Sequence, residues 1–91
     1  MITRRIVVSG KVQGVFYRGW TEANARQLGI TGWVRNLMNG DVEILATGSR
    51  EAVDELIRRC RHGPRAAVVE AVKVEEADTE ASQGFRTRPT F

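Results

Sequence analysis

The chain has 91 residues, 42% hydrophobic and 27% charged, with 14 Lys and Arg against 11 Asp and Glu for a formal charge of +3. That length bounds one domain over residues 1–91 with a single hydrophobic core. There is no run of five like charges and no stretch near the ~18 apolar residues of a membrane span, so neither a nucleic-acid arm nor a membrane anchor is expected. Cys60 is the only cysteine. It cannot close an intrachain disulfide, which fits a soluble cytoplasmic chain in a reducing compartment. The mild basic excess makes a bound anion a plausible partner.

From Ile2 to Ser9 the residues alternate, with Ile2, Arg4, Ile6 and Val8 opposing Thr3, Arg5, Val7 and Ser9. Period two with β-branched residues predicts a strand, and the cluster Ile6-Val7-Val8 places it centrally in a sheet. Gly10 to Arg18 (GKVQGVFYR) reads as a loop. Thr21, Ala25 and Leu28 share one face of a short helix that stops at Gly29. Gly32 to Met38 is a second strand, and Asp41 to Thr47 returns antiparallel to it through Asn39-Gly40, two residues that tolerate positive φ.

Ser49 is a fitting N-cap for the second helix. Val53, Leu56, Ile57 and Cys60 form its apolar stripe, and Gly63-Pro64 ends it. Ala66 to Glu76 is a long strand with apolar residues on both faces near Val68 and Val69, which leaves its inward face unassigned. Asp78 to Gly84 is a polar loop. Phe85 to Phe91 forms a short terminal strand in which Pro89 suits an edge. The order βαββαβ is the split βαβ pattern of an α+β, ferredoxin-like α/β sandwich, an antiparallel sheet with two helices on one face.

The chemistry concentrates in Gly10 to Arg18. A glycine-containing loop feeding a helix offers free backbone N–H groups and the positive end of a helix dipole, and Arg18 adds a planar fork suited to phosphate or carboxylate oxygens. The plain alternative is an ordinary strand-to-helix turn with a surface arginine. Asn36 is a second signal, because asparagine is disfavoured inside a strand. Its plain alternative is an edge asparagine bonded to backbone or water. Cys60 lies on the apolar stripe and reads as core, and His62 as a helix-end cation, so neither makes a metal or thiol site. Phe16, Tyr17, Trp20 and Trp33 lie near basic residues but lack the aromatic RNA-recognition signature, so they read as core and loop packing.

GKVQGVFYR fits the acylphosphatase pattern G-x-V-Q-G-V-x-[FY]-R at every position. GWVRNLMNGDVEILATG resembles the same family's second pattern, an aromatic after glycine and an asparagine ahead of a glycine-bearing hairpin. The chain thus resembles the acylphosphatases. The resemblance implies hydrolysis of a small-molecule acyl phosphate to a carboxylate and inorganic phosphate. It implies that Arg18 binds phosphate, that Asn36 orients the attacking water, and that Gln13, Gly14, Val15, Phe16, Tyr17 and Arg18 form the phosphate cradle through backbone N–H groups. It implies no metal or organic cofactor. Gly19 directly after Arg18 is a weak helix residue that is expected to loosen the loop. The competing reading is a non-catalytic phosphate-binding regulatory module of the same fold, against which the joint presence of Arg18 and Asn36 argues. A domain acting on carbamoyl phosphate within a larger maturation protein is a related alternative. Nothing in the sequence demands more than a monomer.

Overall fold

The structure, a computed structural model, describes residues 1–80 and 83–91. Its elements are β1 (Ile2–Lys11), α1 (Tyr17–Gln27), β2 (Thr31–Asn36), β3 (Val42–Gly48), α2 (Arg50–Cys60), β4 (Val68–Glu76) and β5 (Phe85–Thr87). The strands form one sheet in the order β4-β1-β3-β2-β5. Both helices cover one face, where Ala25, Val53, Leu56 and Cys60 pack with Ile6, Val8, Val34, Val42, Ile44 and Ala46. The ferredoxin-like α+β architecture expected from the sequence is the one observed, with one correction to the sheet.

The sheet is mixed, not wholly antiparallel. The β1–β3, β1–β4 and β2–β3 pairs are antiparallel, but β5 runs parallel to β2. Strand direction gives the reason. β4 ends where Ala77 N–H donates to the carbonyl of Thr3, which pairs with Thr47 of β3, itself opposite Thr31 at the start of β2. A strand that begins at that end of the sheet on the flank of β2 runs in the same direction as β2. The expected polar loop 78–84 includes residues 81 and 82, which lie outside the described residues.

Two local corrections bear on the site, and a bulge settles the face of β4 that the sequence leaves unassigned. Helix α1 begins at Tyr17, four residues before the expected Thr21, and Trp20 N–H closes its first turn on the carbonyl of Phe16 at 3.0 Å. The β2–β3 connection is a turn from Leu37 to Gly40 followed by a bulge: Gly40 N–H donates to Leu37 and Leu37 N–H donates to Asp41. Only Gly40 takes positive φ, 100°, whereas Asn39 accepts the Asp41 N–H on its side chain at 3.0 Å. This is the three-residue hairpin with a glycine bulge. In β4, the register against β1 shifts between Ser9 and Gly10, so Glu70 is the extra residue. The bulge breaks the period of two and lets Val69 and Val72 both pack on the core. That is why alternation could not assign the inward face.

The opposite sheet face is not bare. Trp33 and Leu45 are buried there. Arg88 and Arg35 lie over the Trp33 ring, and Glu43 lies between Arg35 at 2.7 Å and Arg5 at 3.3 Å. Residues beyond β5 continue along β2, with Arg88 N–H donating to Val34 and Phe91 N–H to Asn36. Among the described residues no helix is long and apolar enough to cross a membrane.

Candidate active site

A cleft of about 320 Å³ opens between the β1–α1 junction and the end of β2. The junction is unusual at two positions. Gly14 has φ 73°, and Phe16, the residue capping α1, has φ 67°. A Cβ built on Gly14 meets no atom within 4 Å, so its requirement is conformational rather than steric. Phe16 holds a left-handed conformation without glycine's exemption, at an expense of order 1–3 kcal/mol that the surrounding packing must sustain. The two left-handed residues lie where the chain leaves β1 and enters the helix.

No backbone N–H from Gly14 to Gly19 donates to another described residue. The first turn of α1 carries no acidic side chain and no side-chain cap. The result is a row of unsatisfied donors at the positive end of a helix dipole. Arg18, half-buried in that first turn, is the one charged side chain lining the cleft among the described residues. It has no ion pair or hydrogen bond to any of them. Most of the other arginines are occupied: Arg5, Arg26, Arg35, Arg58, Arg59 and Arg88 all pair with glutamates.

Asn36 reaches the cleft from the last position of β2, opposite Val42. Its carbonyl accepts the Phe91 N–H, but its side-chain amide bonds no described residue. Asn36 and Arg18 are thus brought to one cavity from different elements, each with its polar head uncommitted. An uncommitted guanidinium beside free amides can bind a phosphate, and an uncommitted carboxamide can hold a water through its oxygen.

The six expected cradle residues divide in their roles. Gly14, Phe16, Tyr17 and Arg18 line the cleft, whereas Val15 turns its side chain to the core. Gln13 lines it too, but its side-chain amide donates to the carbonyls of Leu37 and Asp41 at 2.8 and 2.9 Å. The Gln13 side chain therefore ties the loop to the hairpin that follows Asn36. Tyr17 and Arg18 belong to α1 rather than to the loop. The Tyr17 ring is buried, and its hydroxyl donates to the Cys60 carbonyl at 2.6 Å. Burial, with the neighbouring Cys60 adding to it, pushes the Tyr17 phenol above its ordinary range.

Three lining residues, Val12, Gly19 and Thr87, lie outside the expected site. Thr87 arrives from β5, opposite Val34, and donates to Glu22 on α1 at 2.9 Å. Its approach depends on the parallel register, for which the sequence carries no signal. Gly19 was expected to loosen the loop. Instead, the Phe16 ring occupies the space where a Cβ would sit, 2.3 Å from the nearest ring carbon. Gly19 is where the helix makes room for that ring.

Cys60 is fully buried, and burial pushes its thiol up to about 12 against the partial relief of the Tyr17 contact and Arg61. It is core, as expected from the stripe. No carboxylate, thiol or imidazole lines the cleft among the described residues. Among them, too, no three His, Cys, Asp or Glu side chains gather where a metal ion could be held.

A ferredoxin-like sandwich with free amides, an unpaired arginine and an unpaired asparagine around one cleft defines a small phosphate-handling protein. Comparison with known proteins makes this specific. The acylphosphatase family profile matches residues 4–87. An acylphosphatase of Rhizorhabdus wittichii is 48% identical over 89 residues, covering 98% of this chain and 90% of that protein. The solved acylphosphatase of Coxiella burnetii superposes with a TM-score of 0.92 at 42% identity, covering 96% of this chain and 92% of that one. The acylphosphatase of Bacillus subtilis gives 0.93 at 32% identity, covering 97% and 99%. The chain belongs to the acylphosphatase family. It is an enzyme of that kind, a hydrolase, rather than a non-catalytic anion-binding module.

Proposed function

We propose that this chain cleaves the carboxyl–phosphate anhydride of small acyl phosphates with Arg18 and Asn36 in separate roles. The observation that carries the reading is the convergence of two uncommitted polar side chains on the cleft at the start of α1. The phosphoryl group sits against the amides from Gly14 to Gly19, and Arg18 spans two of its oxygens. Asn36 holds a water through its side-chain carbonyl. The water oxygen attacks phosphorus, and the bond from phosphorus to the carboxyl oxygen breaks. The carboxylate departs, and the water proton passes to a phosphate oxygen.

The chemistry is suited to this sparse equipment. A carboxylate is a good leaving group, so strong acid help is dispensable. What remains is to hold the dianion in line with the water and to stabilise the charge on the equatorial oxygens. Amides fixed by the fold do this without reorganising during the reaction. The same reading has the protein working as a cytoplasmic monomer without a nucleic-acid partner, and the single buried thiol is compatible with that.

The test is benzoyl phosphate hydrolysis by the purified protein in EDTA, repeated in isotopically labelled water. Turnover with the label in inorganic phosphate supports attack at phosphorus. Label in benzoate, or no turnover by the folded protein, overturns the mechanism.

A further inference from the structure

The site has one part that phosphate chemistry does not use. Phe16 is 74% exposed and lines the same cleft as Arg18 and Asn36. The other large exposed hydrophobic side chains, Met1, Met38, Val68, Val74 and Phe91, lie away from it. The ring is not a loose surface group. Its backbone is fixed at φ 67°, which sets the direction of the side chain, and the ring rests on the helix at Gly19, where a Cβ would lie 2.3 and 2.5 Å from Cε1 and Cζ. An apolar face is thereby held at the mouth of an otherwise polar site.

We propose that Phe16 forms the acyl-group subsite and favours acyl phosphates whose acyl part is apolar and flat, aromatic acyl groups foremost. The inference rests on the acylphosphatase reading above. The phosphate end of such a substrate is taken by Arg18 and the amides. Only the acyl end gains from an apolar ring, through burial and through ring–ring contact. Direction agrees with this. In-line displacement puts the attacking water and the leaving group on opposite sides of phosphorus. Asn36 holds the water on the β2 side, so the acyl group leaves towards the start of α1, where the Phe16 ring stands.

The experiment compares kcat/KM for benzoyl phosphate and for acetyl phosphate in the parent, in Phe16→Ala and in Gly19→Ala. Gly19→Ala keeps the aromatic side chain but displaces its ring, and alanine suits the first turn of a helix. In both variants the benzoyl-to-acetyl ratio falls about tenfold, the size of a modest apolar contact. The fall lies mostly in KM for benzoyl phosphate, while the inhibition constant for inorganic phosphate moves much less. A ratio unchanged from the parent in Phe16→Ala overturns the subsite and leaves the acylphosphatase reading standing. A parent that hydrolyses neither substrate overturns both. If Phe16→Ala does not fold by circular dichroism, the Gly19→Ala ratio decides by the same criterion.

Discussion

On the proposed mechanism Arg18 binds the phosphoryl group and Asn36 holds the attacking water, so their substitutions are expected to separate. If Arg18 holds the phosphoryl group as proposed, Arg18→Ala removes both the bound-state charge pair and a donor to the developing charge. Losing one preorganised donor costs about 3–4 kcal/mol in the barrier, so kcat falls by two to three orders of magnitude, and phosphate inhibition weakens with it. On the same reading Asn36→Ala takes away a water, not a phosphate contact. Its kcat drops while the inhibition constant for inorganic phosphate stays close to the parent's. Parental turnover in that variant removes Asn36 from the reaction. Gly14→Val puts a β-branched residue at φ 73°, where no neighbouring atom obstructs it but its own backbone does. The variant folds less stably and binds phosphate less tightly, both measurable in one calorimetric titration series.

The elements carry the site through the side chain of Gln13, a residue whose backbone N–H the sequence assigns to the phosphate cradle. The Gln13 amide joins the β1–α1 junction to the Leu37–Asp41 turn. Two such bonds contribute about 1–3 kcal/mol together, so Gln13→Ala lowers the urea unfolding free energy by that amount and also lowers turnover. An activity loss without a stability loss would return Gln13 to the substrate. This division marks what a one-dimensional reading can reach. The strand, loop and helix around Arg18 were legible because their signals are local: alternation, two glycines and an i, i+4 stripe. Asn36 was legible because a polar residue broke a strand's pattern. The early start of α1 was not, because it depends on Phe16 adopting a glycine-like φ and on Gly19 yielding space to its ring. Thr87 was not, because a parallel register between strands 53 residues apart at Val34 and Thr87 leaves no periodic trace. The face of β4 was hidden by a bulge.

At the scale of the whole molecule, ligand and proton binding are coupled to folding. Inorganic phosphate at a hundred times its dissociation constant stabilises the native state by about 2.7 kcal/mol. In a domain of this size each kcal/mol is roughly 4–8 °C, so the melting temperature rises by more than ten degrees in the parent and not in Arg18→Ala. Alkali acts the other way. The Cys60 thiol is raised from 9.0 to about 12 in the fold. The native state therefore keeps a proton that the unfolded chain gives up. The resulting stability is complete below pH 9.0 and declines as pH rises towards 12, by at most about 1.4 kcal/mol per pH unit. Tyr17 reinforces the decline above its ordinary 10.0. Urea unfolding at about pH 8 and about pH 10.5 measures the slope, which is shallower in Cys60→Ala whatever its starting stability. One residue remains at odds with such thermodynamic fitness. Glycine or asparagine would occupy position 16 more comfortably than phenylalanine. A laboratory population selected only for survival on heating would therefore discard Phe16, whereas one selected for growth on an aromatic acyl phosphate would keep it, and the two lineages would part at this codon.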